Sequence, residues 1–82
     1  MVKQLPINIY TQINTDEANY LIQNRDTSHA MKIIVADTQP VPGSEFDFRI
    51  KPYCGISSNQ ATGIIWGMPD GKAAITVGIV EG

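Results

Sequence analysis

A chain of 82 residues makes one domain, and residues 1–82 are read as a single unit with a modest core. Six basic and eight acidic residues give a net charge of −2, spread without a basic run, so the electrostatic footprint of a nucleic-acid binder is absent. One cysteine, Cys54, excludes an internal disulfide framework, and with one histidine, His29, it cannot build a zinc site of the usual Cys/His type.

Charged residues are 17% of the chain, below the roughly 25% of an average globular protein, which suits a protein with much of its surface in contact with partners. A β protein rich in Thr, Asn, Gln and Ser would show the same figure. Met1 to Asn8 holds one lysine and lacks the roughly 7–15 apolar residues of an export signal, so synthesis in a cytoplasm without a cleaved signal is expected. No stretch approaches the roughly 18 apolar residues of a membrane span.

The first element runs from Gln4 to Ile13. Ile7, Ile9, Thr11 and Ile13 alternate with Asn8, Tyr10 and Gln12, which predicts one half-buried strand. Pro6 places its beginning at a sheet edge or strand start. Asn14 to Glu17 is a polar break. Ala18 to Asn24 is spaced for either helix or strand; it is too short to stand as a helix and reads as a strand bearing Ala18, Tyr20 and Ile22 on one face. Asn24 to Ser28 is turn chemistry. Ala30 to Ala36 is β-branched and nearly continuous, as a central strand would be.

Asp37 to Gly43 is a loop stiffened by Pro40 and Pro42. Glu45 to Lys51 alternates cleanly. Phe46, Phe48 and Ile50 form its apolar face, Phe46 and Phe48 being expected to supply much of the aromatic core, while Glu45, Asp47, Arg49 and Lys51 face solvent. Tyr53 to Ala61 reads as a connection. Gly63 to Val80 closes the chain as a hairpin. Pro69-Asp70-Gly71 forms its turn, Trp66 faces the core with Ile64 and Met68, and Gly67 and Gly78 lie nearly opposite each other. This ribbon is a candidate partner-facing edge. About six strands and no long helix predict a mainly antiparallel all-β fold: a small β-sandwich, or as an alternative a small β-barrel.

No catalytic, cofactor-binding or metal residues are assigned. Cys54 lacks an evident base, because nothing in the sequence places His29 beside it, so an inert thiol is expected. Asp16, Glu17 and Asp26 fall in turns; Glu45 and Asp47 share a strand face with Arg49 and Lys51. Gly63, Gly67, Gly71 and Gly78 do not precede a helix and form no phosphate loop. Trp66, Tyr10, Tyr20 and Tyr53 could make a carbohydrate platform, but a single tryptophan on an apolar strand face fits a core better.

Ala18-x-Tyr20-x-Ile22-Gln23-Asn24, then a β-rich strand and a Pro-rich loop, then Gly63-Ile64-Ile65-Trp66 and Gly71-Lys72-Ala73-Ala74-Ile75-Thr76-Val77, resembles small tailed-phage virion proteins. In these a compact β-sandwich carries a Tyr-x-x-Gln-Asn strand and ends in an Ile-Trp/Tyr-x-x-x-x-Gly-x-Ala-x-Ile-x-Val pattern. The chain departs from that pattern at Phe46 to Pro52, where a Gly-rich turn would be usual, which leaves capsid decoration, neck and fibre base all open. The resemblance implies a non-enzymatic structural protein of the virion, without cofactor, assembled in the host cytoplasm. Its partners would be further copies of itself and capsid or neck proteins, with no direct nucleic-acid or membrane contact. A ligand- or glycan-binding β-sandwich module is the alternative.

Overall fold

A computed structural model describes residues 1–15, 19–59 and 62–81. Among these residues eight strands are present: β1 (Val2–Leu5), β2 (Thr11–Gln12), β3 (Tyr20–Asn24), β4 (Met31–Val35), β5 (Phe48–Ile50), β6 (Gly55–Ser57), β7 (Ile65–Pro69) and β8 (Ile75–Glu81). They form two antiparallel sheets, ordered β1-β8-β3-β6 and β2-β7-β4-β5. The fold is the expected all-β sandwich, and among the described residues the two sheets do not close into a barrel. Ala18, Asp16 and Glu17 lie outside the described residues.

The core lies between the sheets and is built of isoleucine. Ile22, Ile56, Ile75, Val77 and Ile79 of the first sheet meet Met31, Ile33, Ile50 and Ile65 of the second. Burying each such side chain stabilises the fold by about 1.5–3 kcal/mol. β3 shows why these residues form strands. Tyr20, Ile22 and Asn24 are buried while Leu21 and Gln23 are exposed, the period-two pattern of a strand with one face in a core. β4 buries Met31 and Ile33 inward and Ile34 outward, as befits an interior strand.

Several expectations are corrected. The run Gln4 to Ile13 is two strands in different sheets, β1 and β2. Pro6 ends the first, and Asn8 takes φ 60, a left-handed conformation that asparagine tolerates better than most residues. Ile7 and Ile9 are left exposed. The stretch after Tyr53 contains β6, an edge strand, so there are eight strands where about six were expected.

The C-terminal hairpin does not form. β7 sits between β2 and β4 in the second sheet, and β8 between β1 and β3 in the first. The intervening residues carry the chain from one sheet to the other. Pro69 has no N–H to give to a hairpin ladder. The Asp70 N–H donates to the Ala30 carbonyl, and its carboxylate accepts from Arg49 Nε at 2.6 Å. Asp70 is therefore tied to the second sheet and does not form a two-residue turn. β8 becomes an interior strand, and Gly67 and Gly78 are not cross-strand neighbours.

Trp66 shares a face with Met68 as expected, but it is the outer face of the second sheet. Ile65 and Gly67 point inward instead. Phe46 and Phe48 are also not core residues; they are 41% and 39% exposed. β5 is only three residues long and lies at a sheet edge, so of its apolar residues only Ile50 reaches under the opposite sheet.

Candidate functional site

The two outer faces of the sandwich differ. On the second sheet, Tyr10, Ile34 and Met68 are buried, with Ala36 and Trp66 packed against them. Loop contacts hold this cluster shut. Trp66 Nε1 donates to the Ala36 carbonyl at 2.9 Å, and Gln39 Nε2 donates to the Tyr10 carbonyl at 2.9 Å. Trp66 thus contributes its ring to a covered cluster and only part of it to solvent. The Tyr10 hydroxyl lies inside without a hydrogen-bond partner among the described residues. Burial, then Asp70 and Asp47, push its pKa up. An unpaired buried hydroxyl costs about 1–3 kcal/mol, so Tyr10→Phe is expected to leave stability unchanged or raise it in a urea titration. A clear loss would show that the hydroxyl has a partner in solution.

The outer face of the first sheet is open. Inward Ile75, Val77 and Ile79 leave Thr76, Gly78 and Val80 facing out on β8. Leu21 and Gln23 face out on β3, Val2 and Gln4 on β1. The register aligns Val2, Gly78, Gln23 and Gly55 in one row across all four strands, and Val80, Leu21 and Ser57 in the next. Val2, Leu21 and Val80 are 60%, 56% and 63% exposed.

Two shallow depressions of about 240 and 410 Å³ lie on this face, Gly78 lining the first, Gly55 the second, and Leu21 and Gln23 both. Arg25 lines the first, its stem lying over Gly78, where an added Cβ would come 3.0 Å from Arg25 Cδ. Its guanidinium has no ion pair among the described residues, and no carboxylate lines either depression.

Tyr53 borders the second depression at φ 62, a costly conformation for a bulky residue. It is held there by its N–H donating to the Asn24 carbonyl at 2.8 Å and by Gln23 Nε2 donating to its own carbonyl at 3.0 Å. Strain of this kind persists where surrounding contacts enforce it, and it gathers at functional surfaces.

Compared with protein-family models, curated proteins and solved structures, the chain matches none.

The residues with chemical potential sit elsewhere. Among the described residues no group of three His, Cys, Asp or Glu side chains could hold a metal. Cys54 is exposed, and no hydrogen bond joins it to His29. Their backbone carbonyls both bond Asn24, so the two segments are neighbours for a structural reason. Asp26 Oδ2 accepts from the Ser28 N–H at 3.0 Å, the His29 N–H at 2.7 Å, and contacts His29 Nδ1 at 3.0 Å. Ser28 Oγ lies 3.2 Å from that same Nδ1. A relay needs the hydroxyl on the ring nitrogen opposite the carboxylate, so this constellation is a turn and not a triad.

The backbone N–H donors hold the Asp26 carboxyl below its usual range. A depressed carboxylate contributes stability that is present above the unfolded-state pKa and is lost as pH falls through the folded one. Wild type should therefore lose more stability than Asp26→Asn when pH is taken from neutral to below about 4, near the ordinary carboxylate value. Equal acid sensitivity of the two proteins in urea melts would remove this role. Asp47 is likewise structural, accepting from the Val35 N–H at 2.9 Å.

Periodicity gave no view of the open face, because Leu21 and Val80 look like ordinary members of apolar runs. The signal that could have found it is Leu21, Gly78 and Val80 falling on outward positions once the sheet order is known.

Proposed function

We propose that this protein is a non-enzymatic structural component of a virion, a capsid decoration or head–tail subunit that docks in many copies on a repetitive protein surface. The observation that carries the reading is the asymmetry of the sandwich. One outer face is covered by the chain's own loops, while the other presents Val2, Leu21 and Val80 to solvent around two shallow depressions. Clustered apolar exposure on a small domain marks an interaction surface. The virion assignment rests in addition on the Tyr20-x-x-Gln23-Asn24 strand and the Ile65-Trp66 to Val77 pattern. Many weak contacts on a repeating lattice would give high avidity without a deep pocket.

The test is co-sedimentation of the purified protein with phage particles lacking it, using wild type and the outer-face variant Leu21→Asp/Val80→Asp. Wild type is expected to co-sediment and the folded variant to remain in the supernatant. A wild-type protein that stays in the supernatant counts against the virion role. Equal binding by the variant counts against this face.

A further inference from the structure

The free edges of the sandwich are blunted. On β1, Lys3 points between the sheets and its Nζ donates to the Gln12 carbonyl of β2 at 2.8 Å, closing that side, and Pro6 follows. On the opposite side β5 and β6 are three residues each, and Arg49 is held by Asp70. Inward charges, prolines and short strands are what keep edges from pairing. Association therefore falls to side-chain surfaces.

Two such surfaces complement each other in chemistry. The first-sheet face presents Val2, Leu21 and Val80 and carries the Arg25 guanidinium, which has no ion pair among the described residues. The start of β5 and the residues before it expose Phe48, Phe46 and Glu45, the last a carboxylate with no ion pair among the described residues. Two aromatic side chains with an anion on one patch match two depressions with a cation on the other. The patches lie on different sheets of the same chain, so they can meet only between copies. Packing two first-sheet faces together would instead bring two Arg25 side chains together around depressions that no carboxylate lines among the described residues, which disfavours that arrangement.

We infer that the segment Glu45 to Phe48 of one copy docks on the outer face of the first sheet of a second copy. Phe46 and Phe48 enter the depressions lined by Gly78 and Gly55, the flexible Arg25 stem moving off Gly78 as its guanidinium pairs with Glu45. The contact joins unlike surfaces, so repetition gives a ring when the rotation closes and a filament when it does not. The inference rests on the assembly reading above and specifies its self-contact.

Sedimentation velocity over a concentration series tests it on the full chain, with wild type, Arg25→Glu, Glu45→Arg, the double charge swap, and Gly78→Val. Circular dichroism confirms that each is folded. Wild type is expected to associate, and either single reversal to weaken association by about tenfold or more, with the swap recovering most of it, as for coupled charge pairs across an interface. Gly78→Val fills the first depression and is expected to leave a folded monomer. A strictly monomeric wild type, unchanged association in the single reversals, or a swap no better than either reversal overturns the contact. Particle binding is scored separately. A monomer that still binds particles overturns this contact and spares the virion role; a charge-dependent oligomer that ignores particles does the reverse.

Discussion

Replacing Asn24 with alanine is expected to destabilise the fold by roughly 3 kcal/mol, because several buried polar groups lose their partner at once. Asn24 is fully buried at the end of β3. Its Nδ2 donates to the His29 carbonyl at 2.9 Å and the Ile50 carbonyl at 3.1 Å, and its Oδ1 accepts from the Asp26 N–H at 3.0 Å. Its own N–H and carbonyl bond Cys54 and Tyr53. One side chain thus ties the first sheet to the end of β5 in the second sheet and to the Asp26–His29 turn. Alanine would leave two carbonyls and one N–H to find water in a closed space. Asn24→Asp is expected to be no better, because a carboxylate cannot donate to the two carbonyls. A urea titration reads the effect as a fall in midpoint with an unchanged slope. A loss under about 1 kcal/mol would mean that water enters and takes over the bonds.

Asn14 plays the matching part at the opposite side. Its Nδ2 donates to the Gly63 carbonyl at 2.8 Å and its Oδ1 accepts from the Ile65 N–H at 2.7 Å. Both asparagines look like turn residues in the sequence, and both are buried pins. For Asn24 a signal was present: it continues the inward series Tyr20, Ile22, Asn24. A polar residue on the core face of a strand must find internal partners.

What local pattern could show was the strand character of β3 and β4 and the face each buries. What it could not show was which sheet a strand joins. The alternation from Gln4 to Ile13 is real, yet residues 6–10 cross between sheets, and alternation carries no information about partners. The Asp70-Gly71 pair failed for a related reason. It specifies a hairpin only when both flanking strands lack better partners, and here β8 pairs over four residues with β1 and five with β3. Phe46 and Phe48 fall on the apolar side of a clean alternation, which predicts a shared face and not its burial. Whether an apolar residue is covered depends on the length of its strand and on what lies across from it, and β5 is short and peripheral. The open face of the first sheet was illegible for the same reason, since it exists only once β1, β8, β3 and β6 are side by side.

The same difference in topology sets apart two glycines that the sequence treats as equivalents. Gly67 pairs with Thr11 and Ile33 in the middle of the second sheet and points inward. A Cβ there would lie 2.5 Å from Ile13 Cδ1 and 3.2 Å from Leu5 Cδ1, both buried. Valine adds three carbons to that space, and the interior has no slack to receive them. Gly78 points out, and a Cβ would meet only the flexible Arg25 stem. Overpacking costs about 1–3 kcal/mol or more, and in a domain of this size each kcal/mol moves the melting temperature by roughly 4–8 °C. Gly67→Val is therefore expected to lower the melting temperature by about 10–20 °C or to prevent folding, while Gly78→Val should stay within about 4 °C of wild type. A hairpin with Gly67 and Gly78 across from each other would place both residues in one ladder and give the two variants similar melting temperatures. Thermal scans of the pair by circular dichroism thus report directly on whether β7 and β8 belong to different sheets. Similar melting temperatures would overturn the crossover between them.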